Sequence, residues 1–203
     1  MRSHVMIAIF CAIYMLAASG ICSALFFEDN PFNMRHQYAS LFTQVSELLF
    51  VTKQSTGIFP APSTRCQAMW KLRPTSENSF EYIVYYAPRQ TPRKMRAFVT
   101  TLTTTISGNR YIPTALRYQT VKGGSFIPFK VMYADPQSGC YILVNHREYI
   151  GTACRLLQTS STLNQPIPPS YENVYKENCR SNDDEIYGTF CSLRLPHIVE
   201  RGR

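Results

Sequence analysis

The sequence predicts a mainly β protein, in which eight short antiparallel strands lie between a short N-terminal helix and a C-terminal helix. Runs of β-branched and aromatic residues, separated by turn residues, fill the middle of the 203-residue chain. The chain also contains 13 tyrosines and 12 phenylalanines but a single tryptophan. Short strands joined by regular turns are typical of a β-sandwich or of an antiparallel barrel, and the 45% apolar content excludes a disordered chain.

Residues 1–24 have the layout of a secretory signal peptide, and the domain is predicted to occupy residues 25–203. A basic start at Arg2 precedes an apolar stretch over 5–18 and a run of small residues. That stretch of 14 residues is shorter than the ~20 that a membrane span needs. Cleavage after Gly20 or after Ala24 fits equally well. We therefore expect a secreted protein with no membrane anchor.

The helices and strands follow from hydrophobic spacing and turn residues. Apolar residues recur at helical spacing after residue 38 and predict a helix over 34–45. A second helix is predicted over 171–179, after Pro168 and Ser170, and an extended segment over 186–193. The eight strands are predicted at 48–52, 66–72, 80–86, 96–105, 112–120, 126–133, 140–145 and 152–159.

Positive charge is concentrated in the strand region. The whole chain has a net charge of +8, but residues 65–155 contain 13 basic and four acidic residues, a net charge of +9. Four of the eight residues over 89–96 are basic. The usual interpretation of such a run is a solvated loop, and the alternative is a surface that binds an acidic host protein or a sulfated glycosaminoglycan. Export from the cell makes nucleic acid an unsuitable partner.

Cysteine and histidine patterns predict neither a metal site nor catalysis. Of seven cysteines, five or six remain after signal-peptide cleavage, depending on Cys22, and export allows them to form disulfides. No zinc-type cysteine spacing is present, and His36, His146 and His197 lie in no recognised catalytic pattern. We predict no metal, no cofactor and no enzymatic activity.

Four segments give the sequence a specific resemblance. The runs DPQSGCYILV, CRLL, PPSYENVYKENC and IYGTFC, which start at residues 135, 154, 168 and 186, resemble tick salivary lipocalins of the histamine-binding protein family. The resemblance implies an eight-stranded antiparallel lipocalin barrel. The general lipocalin Gly-x-Trp signature is absent, and Trp70 lies in the second strand instead.

The resemblance also implies two disulfides, Cys66–Cys191 and Cys140–Cys179. It implies no disulfide partner for Cys154. From the residues alone, Cys154 could pair with Cys22, or it could lie opposite Cys140 across a hairpin centred near Arg147.

The family resemblance implies a monomeric, non-catalytic protein that sequesters a small host inflammatory mediator, such as histamine, serotonin or a leukotriene. Amine-binding members have an Asp where this chain has Tyr141 and a Glu where it has Arg155. A guanidinium repels an ammonium by about 4 kcal/mol at ~4 Å and an effective dielectric constant of 20, provided that Arg155 faces inward. The charge pattern therefore favours an eicosanoid or fatty acid, whose carboxylate could meet Arg155, Arg117 or Lys130.

Strand alternation separates two faces of the third strand but does not show which one faces inward. Glu81 and Tyr85 share one face, and Phe80 and Tyr82 share the other. Glu81 is the remaining candidate partner for an amine, and its alternative position is the solvated outer face. The candidate ligand-binding residues are Trp70, Glu81, Tyr85, Phe98, Phe129, Tyr133 and Arg155.

Overall fold

The computed structural model describes residues 25–55, 64–92, 94–147, 151–179, 183–192 and 195. The predicted signal peptide lies outside these residues. The strands are β1 Leu49–Ser55, β2 Thr64–Ser76, β3 Ser79–Pro88, β4 Arg96–Thr105, β5 Ala115–Gln119, β6 Phe126–Asp135, β7 Cys140–Arg147, β8 Gly151–Thr159 and β9 Asp183–Glu185. Within these described ranges, no helix is long and apolar enough to cross a membrane.

The first eight strands form a closed antiparallel barrel, so the predicted fold class is confirmed. Consecutive strands pair from β2 to β8, and β8 pairs with β1. The barrel closes where Leu49 and Phe50 of β1 pair with Met69 and Ala68 of β2. Beyond that point β9 pairs with the end of β1. We call the end of the barrel where β1 ends and β2 begins the mouth, and the opposite end the base.

The N-terminal segment is more broken than the predicted helix over 34–45. It contains two 3₁₀ helices, Phe27–Asp29 and Pro31–His36, and the short helix α1 Ala39–Thr43. The side chain of Asn30 accepts a hydrogen bond from the Phe32 N–H and so caps the second 3₁₀ helix. The Phe42 ring of α1 contacts Tyr141 edge-on, at 5.7 Å between ring centroids, and so α1 closes the base.

Two other boundaries differ from the predictions. The fifth strand begins at Ala115 rather than at residue 112, because the Pro113 carbonyl accepts a hydrogen bond from the Ala39 N–H instead of a strand partner. The segment predicted as extended over 186–193 contains the helix α3 Thr189–Ser192. The predicted C-terminal helix is confirmed as α2 Pro169–Asn178.

One predicted disulfide is confirmed and the other is wrong. Cys66 bonds to Cys191, but Cys179 bonds to Cys154, and Cys140 is a buried free cysteine. Helix α2 lies over β7 and β8 with its C-terminal end at Cys154, which brings the Cα atoms of Cys154 and Cys179 to 5.8 Å.

The β7–β8 register explains why Cys140 is left out. Cys140 lies opposite Gln158, and Cys154 lies opposite Val144, because the hairpin is centred two residues later than predicted. Cys140 and Cys154 are therefore about 13 Å apart along the sheet, well beyond the ~7 Å limit between the Cα atoms of a disulfide.

Candidate ligand site inside the barrel

The inner face of β3 is the one that carries Tyr82 and Tyr86. Tyr82, Val84 and Tyr86 belong to the central core cluster inside the barrel, whereas Ile83 and Tyr85 belong to a cluster on its outer surface. The same alternation places Leu116 and Tyr118 of β5 inside. These side chains are buried, so the lumen is lined mainly by aromatic and aliphatic groups that are shielded from water.

Arg155 lies within this apolar lumen. It alternates with Leu157 on the inner face of β8, whereas Cys154 and Leu156 face α2, and it is 1% exposed. Its Nη1 donates a hydrogen bond to the Tyr118 hydroxyl at 3.4 Å, and its guanidinium carbon lies 5.3 Å from the centroid of the Phe129 ring. The Tyr118 hydroxyl and the face of the Phe129 ring thus hold the Arg155 cation inside the barrel.

Burial shifts the pKa values of the ionisable groups of this cluster. Desolvation lowers the pKa of Arg155, and the neighbouring Tyr118 opposes that effect. Burial likewise raises the pKa of Tyr118, which Arg155 partly offsets, so the phenol stays neutral and donates or accepts hydrogen bonds. Burial also raises the pKa of Tyr82, with smaller contributions from Tyr118 and Tyr141.

Two further polar groups line the lumen beside this cluster. Gln54 pairs with Arg155 across the β1–β8 ladder and therefore shares its face. Neither the Gln54 Oε1 atom nor the Tyr82 hydroxyl, both fully buried, has a hydrogen-bond partner among the described residues. A buried polar group without a partner costs about 1–3 kcal/mol. A bound molecule with polar atoms would recover that free energy.

The inner face of the barrel carries positive charge. Lys71 of β2 pairs with Tyr82 and so faces inward, near the base, where its ammonium donates to the Thr43 carbonyl. No Asp or Glu within the described parts of β1–β8 shares the inner face. On β9, Asp184 pairs with Gln54 across the β1–β9 ladder and therefore shares the face of Gln54, and its carboxylate forms an ion pair with Arg89 at the mouth, at 2.6 Å.

Phe98, Phe129 and Arg155 are the predicted site residues that lie inside the barrel. Phe98 packs edge-on against Tyr86 at 6.0 Å, and Phe129 stacks at an angle on Tyr118 at 5.2 Å. These residues come together because they lie at inward positions of β4, β6 and β8.

The candidate residues Glu81 and Tyr85 lie outside the lumen, which decides the orientation of β3 that the sequence left open. Both lie on the outer face of β3, and Glu81 forms an ion pair with Arg73 at 2.7 Å. Tyr85 packs in the outer cluster with Phe50 and Ala68.

Trp70 and Tyr133 also lie outside the lumen. Trp70 is 42% exposed, and its indole N–H donates to the Ser46 carbonyl. Tyr133 follows a β-bulge between residues 131 and 133, which breaks the alternation that would have placed it beside Val131. Its ring stacks on His36 at 4.3 Å on the outer surface.

The alternative carboxylate partners Arg117 and Lys130 face outward as well. Arg117 is exposed over the Phe126 ring, at 5.5 Å, and Lys130 forms an ion pair with Asp29 at 2.7 Å. Of the three basic residues considered, Arg155 is therefore the one that faces the lumen.

Sequence reasoning missed Tyr118 and Gln54 as site residues. Tyr118 alternates with Leu116, and this alternation was a usable signal once the inner face was known. Gln54 carried no such signal, because a bulge between Val51 and Lys53 shifts the alternation of β1.

Two cavities lie on the outer surface. One, of about 240 Å³, lies beside α2 and is lined by charges of both signs, among which Glu172 and Lys176 pair at 2.8 Å. The other, of about 420 Å³, is lined by the Asp29–Lys130 pair. Within the described ranges, no group of three His, Cys, Asp or Glu side chains could hold a metal ion.

The sequence also matches a known family over most of its length. The family model of the tick histamine-binding protein matches residues 27–193 of the chain. The chain belongs to the tick histamine-binding protein family. This membership and the barrel fold both identify it as a lipocalin-type binding protein. No curated protein sequence matches the chain.

Solved structures of lipocalins are similar to this member of the family in fold. Insecticyanin from the tobacco hornworm Manduca sexta has a TM-score of 0.55 at 8% identity, covering 79% of this chain and 86% of its own. Lobster apocrustacyanin A1 has a TM-score of 0.52 at 10% identity, covering 73% and 80%. Japanin from Rhipicephalus appendiculatus, in a structure bound to cholesterol, has a TM-score of 0.49 at 14% identity, covering 69% and 91%.

Proposed function

We propose that this protein is a secreted, non-catalytic lipocalin that sequesters a small host inflammatory mediator in its barrel, and that this mediator is an anionic lipid such as an eicosanoid or a fatty acid. The observation that carries the proposal is the position of Arg155. A buried guanidinium in an aromatic lumen suits a molecule with a carboxylate head and an apolar chain.

The charges inside the barrel favour an anion over an amine. A ligand ammonium about 4 Å from the guanidinium would be repelled by roughly 4 kcal/mol at an effective dielectric constant of 20, and a carboxylate would be attracted by as much. Family members that bind amines provide carboxylates for this purpose, and this chain has Tyr141 and Arg155 at the two corresponding positions. Among the three carboxylates of β9 at the mouth, Asp184 is engaged by Arg89, and Asp183 accepts a hydrogen bond from the Tyr175 hydroxyl.

The remaining polar groups suit a ligand that also carries hydroxyl groups. The Tyr82 hydroxyl and the Gln54 Oε1 atom are buried beside the cation and lack partners among the described residues. Ligand hydroxyls could hydrogen-bond to both, as they could in a hydroxylated eicosanoid.

The test is a calorimetric titration of oxidised, refolded protein over residues 25–203 with arachidonate, a leukotriene carboxylate, histamine and serotonin. We expect saturable binding of at least one of the two carboxylates and weaker or absent binding of both amines. Tighter binding of an amine would refute the anionic assignment but not sequestration. No binding of any of the four would refute the proposed function.

A further inference from the structure

A second charged surface lies around the mouth of the barrel. Arg65 at the start of β2, Arg89 and Lys94 in the β3–β4 loop and Arg96 at the start of β4 are all exposed, and we call these four residues the basic rim. Arg65 pairs with Ala87, and Arg96 pairs with Tyr86 on the other side of β3. Two strand spacings therefore separate the backbones of Arg65 and Arg96, about 10 Å. Arg65 shares the outer face of Ala87 and Arg96 the inner face of Tyr86, so the two side chains flank the edge of the barrel from opposite faces.

Two backbone hydrogen bonds form turns in the β3–β4 loop, which contains Arg89 and Lys94. The N–H of Thr91 donates to the Pro88 carbonyl, and the N–H of Lys94 donates to the Thr91 carbonyl, both at 2.9 Å. These two hydrogen bonds tie the backbone of Lys94 to Pro88 at the end of β3.

Acidic residues neutralise the basic rim only in part. Glu77 and Glu81, the two acidic residues between 65 and 134, both lie toward the base. Three more, Asp183 to Glu185 of β9, lie at the mouth, where the Cys66 N–H donates to the Ile186 carbonyl and so brings the end of β9 close to Arg65. Arg89 is paired with Asp184, but the described residues provide no ion pair for Arg65, Lys94 or Arg96. Several cations around one edge, without ion pairs among the described residues, favour a multivalent anion over separate small ions.

From this arrangement we infer that the basic rim binds a sulfated glycosaminoglycan. The charges of a linear polyanion repeat along one chain. Such a chain can therefore contact the cations of β2, β4 and the β3–β4 loop at the same time. A protein partner would be expected to use exposed aromatic anchors. The two most exposed aromatic residues, Phe32 (92%) and Tyr111 (97%), lie away from the rim, before α1 and in the β4–β5 loop.

The test compares two triple variants with equal loss of charge. The rim variant carries Arg65→Ala, Lys94→Ala and Arg96→Ala. The control variant carries three changes at exposed basic residues elsewhere: Arg35→Ala, Arg73→Ala and Lys176→Ala. Affinity for a heparin dodecasaccharide is measured by biolayer interferometry at several salt concentrations, after circular dichroism has shown that each variant is folded.

We expect the rim variant to lose about tenfold or more in affinity, since each exposed ion pair contributes up to ~1 kcal/mol. The dependence of log K on log salt should also become shallower by roughly 2, because fewer counterions are released. The control variant should change little. Arg155→Gln should leave heparin binding unchanged, which separates this surface from the lumen.

Three results would overturn the inference. The first is an equal loss of affinity in the control variant, which would show a diffuse effect of net charge. The second is the absence of heparin binding by the unaltered protein at physiological salt. The third is equally tight binding to phosphatidylserine vesicles that the rim variant abolishes, which would make the surface a membrane site.

Discussion

Replacing Arg155 with Gln tests the central feature of the proposed site. Gln keeps a polar side chain that can still hydrogen-bond to the Tyr118 hydroxyl, which now lies 3.4 Å from Nη1, but it removes the charge. A charge-assisted hydrogen bond contributes about 1.5–3 kcal/mol, less than the ~4 kcal/mol Coulomb attraction because the carboxylate must lose water. We therefore expect a fatty-acid ligand to bind about 10- to 150-fold more weakly to the variant.

The measurement uses two ligands, a fatty acid and the alcohol of the same chain length, with each protein. The unaltered protein should prefer the acid, and Arg155→Gln should lose that preference while binding the alcohol as before. The matched control is Arg117→Gln, because Arg117 lies on β5 beside Tyr118 but faces outward over the Phe126 ring. It should keep the preference.

The result that would refute this role for Arg155 is a preference for the acid that survives in Arg155→Gln. Equal weakening by Arg117→Gln would also refute it, since a long-range effect of net charge would then explain both. Arg155→Glu extends the test to amines, because inverting the charge should give measurable histamine affinity in a variant that circular dichroism shows to be folded.

Three further predictions follow from the structure. Non-reducing peptide mapping should recover Cys154 linked to Cys179, and alkylation in denaturant should label Cys140, whose thiol pKa burial raises to about 11. A Cys140–Cys179 peptide would contradict the structure. Ligand binding should leave the fluorescence of Trp70 unchanged but alter tyrosine absorbance, because Trp70 lies outside the barrel; a large tryptophan change would place the ligand elsewhere. Urea titrations above pH 10 should show the free energy of unfolding falling by up to roughly 1.4 kcal/mol per pH unit for each buried phenol. Burial raises the pKa of each phenol in the folded state above its unfolded value. The unfolded chain therefore loses its protons first as the pH rises, which favours unfolding. An unchanged stability between pH 9 and 11 would be inconsistent with these raised pKa values, which belong to Tyr82, Tyr141, Tyr171 and Tyr175.

The cysteines show where sequence-based pairing fails. Cys140 and Cys154 both face α2 from adjacent strands, so the same outer cluster accepts either one. The strand register and the direction of α2 decide between them. Both are properties of long-range packing that cysteine spacing does not contain.

The site residues show a similar division. Alternation in β3 separated Tyr82 from Glu81 on the sequence alone, but both faces of that strand carry aromatic residues, so hydrophobicity could not identify the inner one. Tyr133 was misplaced because a bulge adds a residue to one strand, and no local composition marked it.

The sequence by itself determined the eight strands, the family and the excess of positive charge, because periodicity, turn residues and charge are local properties of the chain. The tertiary structure alone decided that Arg155 faces the lumen whereas Arg117 and Lys130 face outward. It also decided which cysteine bonds to Cys179. These outcomes depend on barrel closure and on strand register, which bring together residues far apart in sequence. The guanidinium of Arg155 is therefore buried among aromatic rings, whereas Arg117 and Lys130 lie on the outer face of the barrel.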